Sequence, residues 1–190
     1  MLNLKYQVIL GSKSPRRVEL LAGLDIEFNS RVMEVDEVYP DTLSPKDVPE
    51  FLAKKKATAQ KAILKSNELL ITADTIVIVD GIILEKPKSK PEAIEMLTTL
   101  SDKSHTVVTG VSLMASDKWI SFSDTTEGNF GPMSVDEIEY YINKYQPFDK
   151  AGSYGVQEWI GYIGIKKMTG SYYNVMGLPV HKLYQALKKF

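Results

Sequence analysis

Asp74 stands inside Leu69-Leu70-Ile71-Thr72-Ala73-Asp74-Thr75-Ile76-Val77-Ile78-Val79. The run is rich in β-branched residues and reads as one strand, apolar on both faces, of the kind buried in an α/β sheet. An ionised carboxylate left unpaired there would cost several kcal/mol, so something must compensate its desolvation. The candidates are a metal ion, a nearby cation, or a break in the strand that opens Asp74 to a cleft. A structural aspartate bonded to backbone amides in a bulge is the alternative.

Gly11-Ser12-Lys13-Ser14-Pro15-Arg16-Arg17 follows a strand and opens a helix. A helix start offers free N–H groups and a positive dipole end. With two serine hydroxyls, Lys13 and two guanidinium forks, this suits phosphate or carboxylate recognition. It is not a Walker loop, which needs Gly-x-x-x-x-Gly-Lys-Ser/Thr. A capped surface helix with solvated charges is the bland alternative. In the next helical segment Lys56 lies close to the apolar stripe, so it needs an anionic partner or must snorkel outward. Glu34-Val35-Asp36-Glu37 packs three carboxylates into a loop. With Asp74 they could hold Mg²⁺, although a solvated acidic turn is preferred for Glu34 and Asp36. Lys86, at a strand end, could reach a phosphate or simply sit at the surface. His105 and His181 lie far apart and in no nucleophile motif, so Ser-His-Asp catalysis is unsupported; both read as structural or surface residues.

Several elements must position these groups. Tyr6–Leu10 is a first strand, and Ser14-Pro15 opens a helix to about Gly23. Val48 to about Lys65 reads as a helix with Val48, Leu52, Ala59 and Ile63 on its inward stripe. Asp80-Gly81 favours a tight hairpin between the Asp74 strand and Ile82–Leu84. Ser89-x-x-Glu92 and Ser134-x-x-Glu137 have capping-box spacing before two further helices. Thr106–Ala115, Trp119–Phe122 and Tyr162–Lys167 read as strands, residues 146–157 as a loop, and Gly177-Leu178-Pro179 as the start of a C-terminal helix. Strands and helices alternate without repeats or linkers, which predicts one α/β domain over residues 1–190 with a mixed twisted sheet flanked by helices.

Composition narrows the function classes. The chain has 190 residues, 44% hydrophobic and 25% charged, ordinary globular values. Its net charge of −1 argues against a general nucleic-acid binder. With no cysteine there is no disulfide, thiol nucleophile or Cys-based metal site. No signal-peptide pattern or membrane-length apolar run is visible, so a soluble cytoplasmic protein without membrane or nucleic-acid polymer partners is expected.

Taken in order, these motifs resemble the Maf family of nucleoside triphosphate pyrophosphatases over nearly the whole chain. The markers are Ser12-Lys13-Ser14-Pro15-Arg16-Arg17, Glu37, Leu52-Ala53-x-x-Lys56-Ala57, Ala73-Asp74-Thr75 and Glu85-Lys86-Pro87. They continue through His105–Val111, Asp149-Lys150-Ala151-Gly152-x-Tyr154-Gly155-Val156-Gln157 and Gly170-Ser171-Tyr172-x-Asn174-Val175-x-Gly177-Leu178-Pro179. The resemblance implies an elongated two-lobed α/β fold with a central cleft, similar to the inosine triphosphate pyrophosphatases, and a homodimer. It also implies cleavage of a nucleoside triphosphate to the monophosphate and pyrophosphate, with a divalent cation (Mg²⁺, Mn²⁺ or Co²⁺). By the same resemblance Asp74 accepts a proton from water and Glu37 and Asp74 hold the metal, with Lys86 in the catalytic set. Ser12, Ser14, Arg16, Arg17, Lys56, Thr75 and Gln157 bind substrate. Arg16, Thr75 and Gln157 match the branch acting on dTTP and UTP. Glu158-Trp159 departs from the small residues usual after that glutamine and could reshape the base pocket. The other readings are a nucleotide-binding regulator of septum formation and cell division, or a pyrophosphatase preferring modified purines such as 7-methyl-GTP.

Overall fold

The computed structural model describes residue 2 and residues 4–190. Seven strands form an open mixed sheet flanked by helices. They are β1 (Gln7–Leu10), β2 (Phe28–Ser30), β3 (Glu68–Val79), β4 (Ile82–Leu84), β5 (Ser104–Met114), β6 (Trp119–Phe130) and β7 (Ile165–Thr169). Their order is β2-β1-β3-β5-β6-β7, with β4 paired to β3. The helices are α1 (Pro15–Ala22), α2 (Val48–Gln60), α3 (Lys90–Leu100), α4 (Val135–Tyr145), α5 (Trp159–Gly164), α6 (Tyr172–Met176) and α7 (Val180–Leu187). Among the described residues no helix is long and apolar enough to cross a membrane.

The chain divides into two compact units. The first comprises Met1–Asp74, Thr109–Asp124 and Gly177–Phe190; the second comprises Thr75–Val108 and Thr125–Met176. In the first unit β1 pairs in parallel with both β2 and β3, with Leu10 opposite Ser30 on one side and Ile71 on the other. The chain leaves β1 through α1 to reach β2 on one flank, and returns through α2 to β3 on the other. That reversal makes the carboxyl end of β1 a topological switch point, where open α/β sheets characteristically bind ligands. Ile9, Ala57, Leu70 and Met114 form a buried cluster beneath it, with Leu64 packed alongside.

Helix α2 differs from its expected course. It ends at Gln60 and tightens into a 3-10 turn over Lys61–Ile63, while Ala59 and Ile63 are exposed. Its buried residues are Val48, Pro49, Leu52, Ala53, Ala57 and Gln60. At 100° per residue those positions span a wide arc, and Lys56 falls in its middle rather than beside it. Small residues decide this face: Ala53 and Ala57 let α2 lie close to β3, and Thr72 Oγ1 donates to the Ala53 carbonyl at 2.7 Å.

In the second unit the Asp80-Gly81 hairpin forms as expected, with Asp80 at φ 51° and Gly81 at φ 79°, the left-handed pair of a type I′ turn. Ser134 and Glu137 complete a reciprocal capping box, whereas Ser89 accepts from Glu92 N and Glu92 reaches Lys88 N instead. The segment expected as a strand from Tyr162 to Lys167 is helical to Gly164 and extended only from Ile165. Gly161, where a Cβ would sit 1.9 Å from the Val156 carbonyl oxygen, lies within this helical stretch and permits the close approach. Strand β2, helix α6 and the extension of β6 to Phe130 were not apparent from periodicity.

Candidate active site

The site in the first unit begins where β1 ends. Gly11 N donates to the Ile71 carbonyl at 2.8 Å, extending the β1–β3 ladder by one bond. A Cβ on Gly11 would stand 2.8 Å from Thr72 Cγ2 and 2.9 Å from Gln60 Nε2, so a side chain here would have to displace both as the chain leaves the sheet. Ser12, which follows, is buried, and its Oγ accepts from Ser14 N at 3.2 Å and from Arg17 Nη1 at 3.3 Å. Ser14 is the N-cap of α1 but makes no side-chain cap bond, and Pro15 occupies the first turn. Arg17 Nε donates to the Gly177 carbonyl at 2.8 Å, tying the start of α1 to the C-terminal segment. Burial pushes the Arg17 guanidinium below its usual value, opposed by the negative charge of Asp74 and Glu37. It stays protonated at any physiological pH.

Asp74 has found its compensation. Lys56 Nζ donates to Asp74 Oδ1 at 2.5 Å and lies 2.7 Å from Glu37 Oε1. Asp74 and Lys56 side chains are 9% and 16% exposed, while Glu37 remains 44% exposed. The inward lysine therefore pairs with two carboxylates rather than snorkelling. Glu37 comes from a segment without regular structure, and Glu34 and Asp36 beside it are exposed, as expected of a solvated turn. Glu34 pairs with Lys13 at 2.7 Å, which takes Lys13 away from the serine cradle.

Two carboxylates converging on a single ammonium suit a hard cation. Mg²⁺ takes oxygen ligands and is commonly held by one or two carboxylates plus substrate phosphates. Among the described residues no group of three or more His, Asp or Glu side chains gathers to hold a metal alone. Glu37 and Asp74 are the oxygen donors of this neighbourhood that could hold such a cation, at the place where the Lys56 ammonium lies.

The first unit therefore brings Ser12, Ser14, Arg17, Glu37, Lys56 and Asp74 to one neighbourhood, with Arg16 part-buried on α1. Thr75, Lys86 and Gln157 belong to the second unit. Lys86 is exposed after β4, and Thr75 is partly buried on β3. The Gln157 side-chain oxygen is buried and accepts no hydrogen bond among the described residues. His105 is buried, shares a 2.7 Å hydrogen bond between Nε2 and Tyr154 OH, and stacks on Phe130 with ring centroids 5.2 Å apart. His181 is exposed on α7. His105 is thus packed in the core and His181 lies on a helix surface. Sequence reasoning gave no site role to Tyr141, Lys150 or Glu158, yet Tyr141 and Lys150 each bond to Glu158, the residue after Gln157. A tyrosine at helical spacing counts as apolar, and nothing local announces its hydroxyl.

Comparison with known proteins places the chain. The dTTP/UTP pyrophosphatase of Bacteroides thetaiotaomicron is 53% identical over 186 residues, 97% of this chain and 96% of that relative. The dTTP/UTP pyrophosphatase of Porphyromonas gingivalis is 53% identical over 189 residues, 98% of this chain and 95% of that relative. Among solved structures, the Ham1 protein of Staphylococcus aureus aligns with 65% of this chain and 71% of its own, at 20% identity and a TM-score of 0.42. The family model described as Maf-like protein matches residues 7–190, and the chain belongs to that family.

Proposed function

We propose that the protein hydrolyses dTTP and UTP between the α- and β-phosphates, releasing the nucleoside monophosphate and pyrophosphate. The observation that carries this reading is the Lys56 ammonium held between Asp74 and Glu37 beside the Ser12–Arg17 cradle. The relatives named dTTP/UTP pyrophosphatase support the substrate class.

In this reading the cradle and Arg17 bind phosphate oxygens through N–H groups, the Ser12 hydroxyl and a guanidinium. Asp74 accepts a proton from water as the water oxygen bonds to the α-phosphorus and the bond from that phosphorus to the bridging oxygen breaks, the bridging oxygen leaving with pyrophosphate. Lys56 orients the Asp74 carboxylate and offers positive charge to the developing negative oxygens. Arg17 and Lys56 are balanced by Asp74 and Glu37, so the cluster is neutral before substrate arrives. A triphosphate with about four negative charges then calls for more cations than these side chains provide. When bound, a divalent ion held by Glu37 and Asp74 supplies that charge; Lys86 is assigned to the phosphates as well.

Base preference follows from Gln157. Thymine and uracil each present an N3–H donor, and the buried Gln157 oxygen is an acceptor without a partner among the described residues. Cytosine carries an unprotonated N3, which presents an acceptor rather than a donor at that position. The test is pyrophosphate release from dTTP, UTP, CTP and 7-methyl-GTP with Mg²⁺, Mn²⁺ or Co²⁺. Asp74→Asn should lower kcat about 10²–10⁴-fold. Undiminished hydrolysis by that variant would remove Asp74 from the reaction, and a preference for 7-methyl-GTP would overturn the pyrimidine assignment.

A further inference from the structure

The turn that carries Gln157 is built around a neighbouring carboxylate. Tyr141, fully buried on α4, donates its hydroxyl hydrogen to Glu158 Oε2. The same hydroxyl oxygen accepts from Gly155 N at 3.0 Å. Lys150 Nζ approaches the other Glu158 oxygen, Oε1, at 3.1 Å and also pairs with Asp149 at 2.8 Å. Glu158 N closes the turn by donating to the Gly155 carbonyl at 2.9 Å. Each carboxylate oxygen of Glu158 therefore has its own partner, and rotating the group breaks one of them.

Gly155 shows where the head groups lie. A Cβ there would stand 2.8 Å from Glu158 Cδ and 3.0 Å from Gln157 Nε2. The carboxylate and the Gln157 amide thus both pack over the Gly155 α-carbon. The Gln157 oxygen accepts no hydrogen bond among the described residues, so that atom does not fix the amide's direction. What borders the amide on this side is the Glu158 carboxylate, packed over the same α-carbon. Burial and the adjacent Glu158 charge raise the Tyr141 phenol far above its usual value, so it remains a donor.

We infer that Glu158 is a positioning residue for base recognition: locked between Tyr141 and Lys150, it aims the Gln157 amide without touching the substrate. The inference rests on the proposed role of Gln157. It also gives a purpose to the acidic residue that follows that glutamine in place of a small one.

The test uses the full chain with UTP and CTP as paired substrates. Tyr141→Phe removes one oxygen, leaving Glu158 Oε2 and Gly155 N each without its partner, while Lys150 still holds Oε1 and the ring is kept. It should raise KM for UTP about 10-fold with kcat held within about twofold, and shrink the UTP-over-CTP preference about 10-fold. Glu158→Gln still offers Tyr141 an acceptor and should retain most of the preference, whereas Glu158→Ala should lose it. Inhibition by inorganic tripolyphosphate, which has no base, should not change. In a Gln157→Ala background Tyr141→Phe should produce no further change in the UTP-to-CTP ratio. An unchanged ratio in Tyr141→Phe overturns the inference. So does an equal loss in the Gln157→Ala background, or a parallel weakening of tripolyphosphate inhibition, since each would indicate general loosening. If the natural chain releases no pyrophosphate, the hydrolase reading fails by itself. The preference for binding UMP over CMP by calorimetry, and its loss in Tyr141→Phe, then decides the positioning role independently.

Discussion

Buried His105 makes stability depend on pH in a window where few other groups act. Desolvation lowers the His105 imidazole to about 4 from an ordinary value near 6.5. Protonation would place a charged N–H at Nδ1, which is buried and has no partner among the described residues. The ring cannot move to find one: it is stacked on Phe130, and Gly128 is so close that a Cβ there would lie 2.7 Å from His105 Cε1. The unfolded chain therefore takes up this proton first as pH falls. Stability is complete above about pH 7, declines below 6.5, and stops declining through this residue below about pH 4. The whole difference amounts to about 3 kcal/mol, of which about 1.4 kcal/mol has gone by pH 5.5. Urea unfolding of the natural chain and of His105→Gln, at pH 7.5, 6.5, 5.5 and 4.5, isolates the effect, because every other titrating group cancels in the difference. The gap between the two proteins should close by about 1.4 kcal/mol between pH 7.5 and 5.5. Parallel pH profiles, or a His105 ring signal in ¹H–¹⁵N spectra that titrates near 6.5, would refute the argument.

Two further perturbations probe the frame of the site. Lys56→Met leaves the Asp74 carboxylate buried without its cation and should destabilise the chain by about 3 kcal/mol in urea unfolding, the low end for a buried pair because Glu37 is half-exposed. A loss below about 0.5 kcal/mol would mean that Asp74 is compensated by something other than Lys56. Gly110→Ala places a Cβ 2.2 Å from both Glu50 N and Pro49 C, backbone atoms at the start of α2 that cannot swing aside. It should cost about 3 kcal/mol or more, and a thermal midpoint matching the natural chain would show that β5 and α2 separate easily.

How much of this was legible in the sequence depends on whether a residue broke its local pattern. Asp74 did, as a charge in an apolar run, and Lys56 did, as a charge near an inward stripe. Their mutual contact followed from nothing local, yet the two anomalies were complementary, and complementary buried charges tend to meet. The Ser134–Glu137 capping box and the Asp80-Gly81 hairpin were readable because turn chemistry is local. The true inward face of α2 was not. Alanines at 53 and 57 carry little hydrophobic weight, and they are buried because their smallness lets β3 approach. Likewise Glu37 reaches Lys56 from a segment with no periodicity to place it.

The same reasoning explains why the Tyr141–Glu158 pair stayed hidden longest. Tyr141 satisfies helical spacing as an apolar residue, so its ring accounts for its position and its hydroxyl goes unread. Its partner Glu158 lies 17 residues onward, beyond two 3-10 turns, Pro147–Asp149 and Ala151–Ser153, where no period carries information. What betrays such a pair is chemistry rather than pattern. A carboxylate following Gln157 in a glycine-containing turn has little reason to be near-buried unless it is bonded on both oxygens. That requirement of desolvation first pointed to Asp74 on β3, and it points to Glu158 as well. In Asp74 the buried charge faces a lysine and, in the proposed reaction, a water to be activated. In Glu158 it faces a phenol and a lysine that hold it still, which suits a group meant to fix a neighbour's direction rather than to react.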